Sequence, residues 1–169
     1  MGKKSTRENK NIYQTSREEA GLTRERASEL LGFISPDRIE RIESEKSAPQ
    51  PDEILAMEEC YGKTGLCNYF CSHECSIGQK YVPEVQIKDL SQITLEMLAC
   101  LNSMEREKNR WIEITVDGKI TEDEITDFVS IQKKLQKISL VADSLQLWIQ
   151  DMLTKEQLDE DLLNSALKK

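Results

Sequence analysis

Apolar residues recur along this chain at helical intervals, and the polar punctuation between them cuts it into pieces of two lengths. Up to residue 62 the pieces are short. An amphipathic segment runs from Asn11 to Ala20, and Gly21 closes it. In "LTRERASELLG" Thr23 stands as N-cap, Ala27, Leu30 and Leu31 are spaced to face a core, and Gly32 stops the helix. "FISPDRIERIE" repeats the plan. Ser35 caps, Pro36 takes the first helical position where no amide donor is missed, and Ile39 and Ile42 fall three apart on one face. A fourth helix is predicted from Asp52 to Tyr61, between a proline and a glycine. Residues 66 to 77 read as a fifth, with Leu66, Phe70 and Ile77 in one narrow sector.

Beyond "GQKYVPEVQ" the pieces become long. Ile87, Leu90, Met97, Leu101 and Met104 alternate in steps of three and four toward Trp111, the pattern of a long helix with a narrow apolar seam. Cys100 lies inside this pattern and reads as core. A second long helix is predicted from Thr121 to Leu153, with Ile125, Phe128, Leu135, Ile138, Ala142, Leu145, Ile149 and Met152 in the same rhythm and Thr121 with Glu124 as a capping box. The joint between the two, Glu113 to Glu124, fits a calcium-binding EF-hand loop at Gly118, Ile120 and Glu124. It carries Glu113 and Thr115 where aspartate or asparagine is needed, so a plain Asp-Gly turn is expected instead. Two long helices joined in this way make an antiparallel hairpin. One hairpin with seams on both helices seldom buries itself, so a second copy is its natural completion, through residues 87–153. The alternative is that the hairpin packs on the rest of its own chain. The last stretch, Lys155 to Lys169, reads as a short amphipathic helix or a frayed tail.

The two short helices on either side of Gly32 form a helix-turn-helix. The run "GLTRERASELLGFISPDRIERIESEKSAPQPDEILAMEECYG" resembles the Xre/Cro-type family of phage and bacterial repressors over roughly residues 8–76. A small alanine, a Leu-Gly turn, an Ile-x-x-Ile-Glu recognition helix and a proline-led fourth helix occur there in the family's order. Phe33 to Arg38 is one residue longer than the usual turn, and "ESEK" stands where the family often has Glu-Arg-Gly-Lys. The resemblance implies a lambda-repressor-like helical domain that binds double-stranded DNA with its second motif helix in the major groove, N-terminal residues nearest the base edges. Ser35, Asp37 and Arg38 then sit at that end, and Arg41 lies one turn on. Arg38 can pair bidentately with guanine, and Asp37 can accept from cytosine. Arg24 and Lys46 are the expected phosphate contacts. Glu43 reads as a structural hydrogen-bonding residue, and Leu31, Ile39 and Ile42 as buried.

Charge tempers this picture. The formal net charge is −8, and residues 1–65 hold 11 Lys and Arg against 13 Asp and Glu, about −2, where a strong DNA binder shows a basic face. Non-specific affinity should be weak and salt-dependent, and a dimer that joins two modest half-sites would ease the deficit.

"CNYFCSHEC", residues 67–75, brings three of the five cysteines together with the chain's one histidine. An odd count in a reducing compartment favours free thiols or metal ligation over a disulfide framework. On a continuous helix Cys67, Cys71 and Cys75 share a sector, but the first and last are about 12 Å apart along the axis, too far to share one ion unless the helix breaks. Cys60, Cys67, Cys71 and Cys75, or three of these with His73, would suit zinc or an iron–sulfur cluster if the segment is irregular. Inert or redox-switch cysteines are the alternative.

The sequence therefore predicts an all-α protein. A helix-turn-helix domain over 1–78, a linker over 79–86 and a helical hairpin over 87–169 that dimerises it are the expected parts. The expected function is sequence-specific DNA binding and transcriptional control as a homodimer. The rival is a protein-binding adaptor that uses the hairpin without DNA. With one histidine, no phosphate loop and no catalytic pair, an enzyme is not expected. No apolar run approaches the length of a membrane span, and the N-terminus is polar where a signal peptide would be apolar, so a cytoplasmic protein is expected. Met1-Gly2-Lys3-Lys4-Ser5-Thr6 fits the short myristoylation pattern, which chance explains.

Overall fold

The computed structural model describes residues 10–168; the Met1 to Thr6 pattern lies outside them. The described residues are helical, in nine helices and without strands. They divide into two compact units. One takes the chain up to Glu84 and again from Gln150 on, and the other is Val85–Ile149. Residues from Gln150 on thus group with the N-terminal unit, where the sequence assigned them to the hairpin.

In the first unit α1 (Ile12–Glu19), α2 (Arg24–Leu31), α3 (Pro36–Glu43), α4 (Pro51–Tyr61) and α5 (Leu66–His73) surround a single apolar cluster. Each of the first three is started by the side chain the sequence supplies. Asn11 accepts from the Gln14 amide, Thr23 from Arg26 and Ser35 from Arg38. These caps fix where each short helix begins, and hence which face turns inward. Ala27, Ile39, Ile42, Ile54, Met57 and Leu66 are buried, each large aliphatic among them contributing about 1.5–3 kcal/mol of apolar transfer. Leu31 joins them, but Leu30 does not: it is 52% exposed. Helices of two turns offer the core one residue of each adjacent pair, and spacing alone cannot say which.

The predicted fifth helix is cut short. α5 ends at His73, the Glu74 and Cys75 amides both turn back to the Phe70 carbonyl, and α6 (Gly78–Tyr81) begins after a turn. The chain doubles back closely enough that a Cβ on Gly78 would lie 2.0 Å from the Cys71 carbonyl oxygen. Ile77 is consequently 71% exposed and does not share the Leu66 and Phe70 face, and Cys75 is off the helix that carries Cys67 and Cys71.

In the second unit α7 (Leu90–Thr115) and α8 (Ile125–Thr154, its last residues counting with the first unit) pack as an antiparallel hairpin. Asp89 caps α7 through the Gln92 amide. The joint is an Asp-Gly turn. Asp117 Oδ1 accepts from the Lys119 amide at 3.0 Å, and Gly118 takes φ +70°, where a side chain is strained. Glu124 accepts from both the amide and hydroxyl of Thr121, but the helix itself starts only at Ile125. Ion pairs Lys134–Glu107 and Arg110–Asp127 fasten one helix to the other. Ile93, Cys100 and Ile114 of α7 and Ile131, Val141 and Leu147 of α8 are buried. The predicted seam is therefore rotated. Leu90 and Leu101 are exposed because α7 carries apolar residues on two neighbouring faces and the periodicity fits either, and Ile87 ahead of it and Ile125 and Leu135 of α8 are exposed as well. α9 (Glu160–Leu167) is capped by Asp159, which accepts from the Leu162 amide.

Candidate nucleic-acid interface

α2, the four-residue turn Gly32 to Ser35 and α3 form the candidate site. Gly32 at φ +74° lets the chain leave α2, Ile34 drops into the core, and Ser35 opens α3. Ser35, Asp37 and Arg41 remain exposed along α3, while Ile39, Ile42 and Glu43 form its buried side.

Behind this face lies a buried ion network. The Glu43 side chain, 4% exposed as a residue, accepts from Arg17 Nε at 2.5 Å, Arg17 Nη2 at 2.9 Å and Arg24 Nε at 2.8 Å. Arg17 also donates to the Leu22 carbonyl at 2.6 Å. Burial pulls the Arg17 pKa down, but the hydrogen bond and charge of Glu43 outweigh it and hold the guanidinium charged. Glu43 is thus a brace joining α1, α2 and α3, the structural role read from the sequence. Arg24 is part of that brace through Nε, with a third of its side chain still exposed.

Arg38 differs most from expectation. Its Nε and Nη2 donate to the two Glu53 carboxylate oxygens at 2.7 and 2.6 Å, Nη1 donates to Ser47 Oγ at 2.6 Å, and Nη2 donates again to the Ala48 carbonyl at 2.9 Å. All three guanidinium nitrogens are engaged, so the fork assigned to guanine is instead closed on the chain itself. It ties α3 to the following loop and to the first turn of α4. Glu53 could have been suspected: it is the third residue of a proline-led helix, where a carboxylate reaches back to the Gln50 amide, here at 2.7 Å. Fifteen residues of separation hid its second partner.

Two other basic residues near α3 have carboxylate partners, Lys46 with Glu40 at 3.1 Å and Arg26 with Glu29 at 2.7 Å, both pairs at the surface. Such exposed pairs contribute under about 1 kcal/mol and exchange readily for a phosphate. Arg41 has no ion pair among the described residues. Phe33, the second residue of the turn that feeds α3, is 62% exposed.

The cysteines are not gathered into a metal centre. Among the described residues no three His, Cys, Asp or Glu side chains are placed to hold one ion. Burial, then the charge and hydrogen bonding of Glu58, push the Cys67 thiol up to about 12. Burial and then Glu59 raise Cys60 as well. Cys75 Sγ accepts from the Gly78 amide at 3.4 Å, and His73 stacks on Tyr69 with ring centroids 4.4 Å apart while its Nε2 lies 3.7 Å from Glu84. Zinc and iron–sulfur clusters need convergent thiolates. Cys60, Cys67, Cys71, Cys75 and His73 do not fit such a group in this arrangement. Cys67 held as a protonated thiol should resist iodoacetamide at pH 8 in the native protein. Mass spectrometry is expected to find it alkylated only after denaturation, at least tenfold slower than in the unfolded chain.

Residues 15–66 match the model of a family described as helix-turn-helix. No curated protein and no solved structure matches the chain. Over those residues, under a third of the chain, the N-terminal part is similar to helix-turn-helix domains of the Xre and lambda-repressor-like kind. Among the described residues no helix is long and apolar enough to cross a membrane.

Proposed function

We propose that this protein binds duplex DNA sequence-specifically as a homodimer and so controls transcription. The observation that carries this reading is α3. It is capped by Ser35 and braced from behind through Glu43 and Glu53, and it leaves Ser35, Asp37 and Arg41 exposed within a matched helix-turn-helix. With Arg38 committed to the fold, Arg41 is the base-reading or phosphate-binding cation of the recognition helix. Arg24 and Lys46, whose partners are carboxylates at or near the surface, are the flanking phosphate contacts. Localisation in the cytoplasm follows from this role.

The dimer is supported by a second face of α7. At 100° per residue Leu90, Leu98, Leu101, Ile112 and Val116 fall within about 80° of one another, roughly a third of a turn from the buried Ile93 and Cys100. All five are exposed in the single chain. An apolar stripe running most of the length of a helix belongs in an interface, and a second copy supplies the same stripe by symmetry. The adaptor reading would place a different protein there and would dispense with DNA.

Two measurements test the proposal. Arg41→Ala should weaken retention of DNA upstream of the protein's own gene at least tenfold in a shift assay, with thermal unfolding unchanged. Sedimentation should give a dimer that the double variant Leu98→Glu, Leu101→Glu converts to folded monomer. A wild-type dimer without salt-sensitive DNA binding would favour the adaptor.

A further inference from the structure

The end of α3 that approaches base edges is short of donors. Arg38 is closed on Glu53, Ser47 and Ala48, Asp37 can only accept, and the Ser35 hydroxyl, whose oxygen accepts from the Arg38 amide, keeps a single O–H to give. What stands beside that end instead is an aromatic ring. Ile34 is 2% exposed and anchors the turn in the core, which leaves the preceding residue, Phe33, outside with most of its surface in water. Leu30, on the last turn of α2, adds apolar surface to the same motif. Fully burying a phenylalanine is worth about 1.5–3 kcal/mol, so a partner that covers this ring gains appreciably.

In the major groove one feature offers apolar surface, the C5-methyl of thymine, and an aromatic side chain is among the groups that read it. Resting on the DNA-binding reading above, we propose that Phe33 packs against a thymine methyl in each half-site, making the protein a reader of a methyl group at a position where a hydrogen-bonding side chain is lacking. The turn between α2 and α3 carries Phe33 outward while Ser35 still caps α3.

The experiment uses the full chain and a randomised duplex pool. Duplexes retained by the wild type are sequenced, and each thymine of the recovered site is replaced in turn by deoxyuridine, which removes only the methyl. The expected result is one thymine per half-site whose replacement weakens wild-type binding roughly 3- to 10-fold. Phe33→Ala should lose the same factor on the thymine duplex and be indifferent to deoxyuridine, so the two changes do not add. Phe33→Leu should keep part of the preference. Since Phe33 is exposed, both variants are expected to unfold at the wild-type temperature. Recovered sites in which every thymine can be replaced without loss, or in which Phe33→Ala remains as sensitive to deoxyuridine as wild type, overturn the thymine contact while leaving DNA binding standing. Failure of the wild type to retain any duplex overturns the DNA-binding reading, and this contact with it.

Discussion

Glu43→Gln is expected to lower the unfolding free energy by about 3–5 kcal/mol, the largest loss from any single substitution considered for this domain. Glutamine keeps the shape of the side chain but accepts through one oxygen instead of two and carries no charge. It leaves Arg17, its side chain 7% exposed, with only the Glu18 carboxylate 4.0 Å away as countercharge, and Arg24 without its partner. The penalty is that of the orphaned charge rather than the worth of the pair, which would have been weak had both been apolar. Chemical denaturation measures it. Against a domain stability of about 5–15 kcal/mol the variant should lose much of its folded population at moderate temperature. Arg17→Met with Glu43→Leu should recover a good part of the loss, because that change removes both charges together.

Arg38→Ala separates the two roles this residue could have. As a base reader its removal would weaken DNA binding and spare the fold. As the structure places it, removal deletes a fork on Glu53 and bonds to Ser47 and Ala48, and should cost about 2–3 kcal/mol of stability. Held at a temperature where it is folded, the variant should bind DNA better than Arg41→Ala does. The same pair gives a pH signature. The Arg38 hydrogen bond holds the Glu53 carboxyl below its usual range; burial opposes this, and the Gln50 amide adds to it. A depressed carboxylate stabilises the fold fully above its unfolded pKa, about 4.3, and the contribution fades as pH falls through the lower folded value. Glu53→Gln should therefore be less stable than wild type at pH 7. The difference should shrink in denaturation curves taken progressively below pH 4.

What could be read from the sequence was local. Asn11, Thr23, Ser35 and Pro36 each announce a helix start, and the helices begin where those residues say, because a cap is satisfied by amides two or three positions away. The burial of Ala27, Ile39 and Ile42 followed from the same short-range geometry. Features set by distant residues were not legible. Glu53 takes Arg38 from fifteen residues away, Gly78 closes on the Cys71 carbonyl and ends the fifth helix early, and the inward face of α7 depends on what α8 presents to it. The cysteines show the same limit. Their spacing left a metal cluster and a plain helix both open, and the break after His73 separates them without making them converge.

One carboxylate, on Glu43, receives guanidinium groups that the chain delivers from positions 17 and 24. Docking any two of the three helices while the other is absent leaves at least one of these groups partly unmet in a dry interior. Half-assembled forms of the domain are therefore poor refuges. α1, α2 and α3 should form and come apart as a single all-or-none step, and a recognition helix should not outlive the scaffold that aims it.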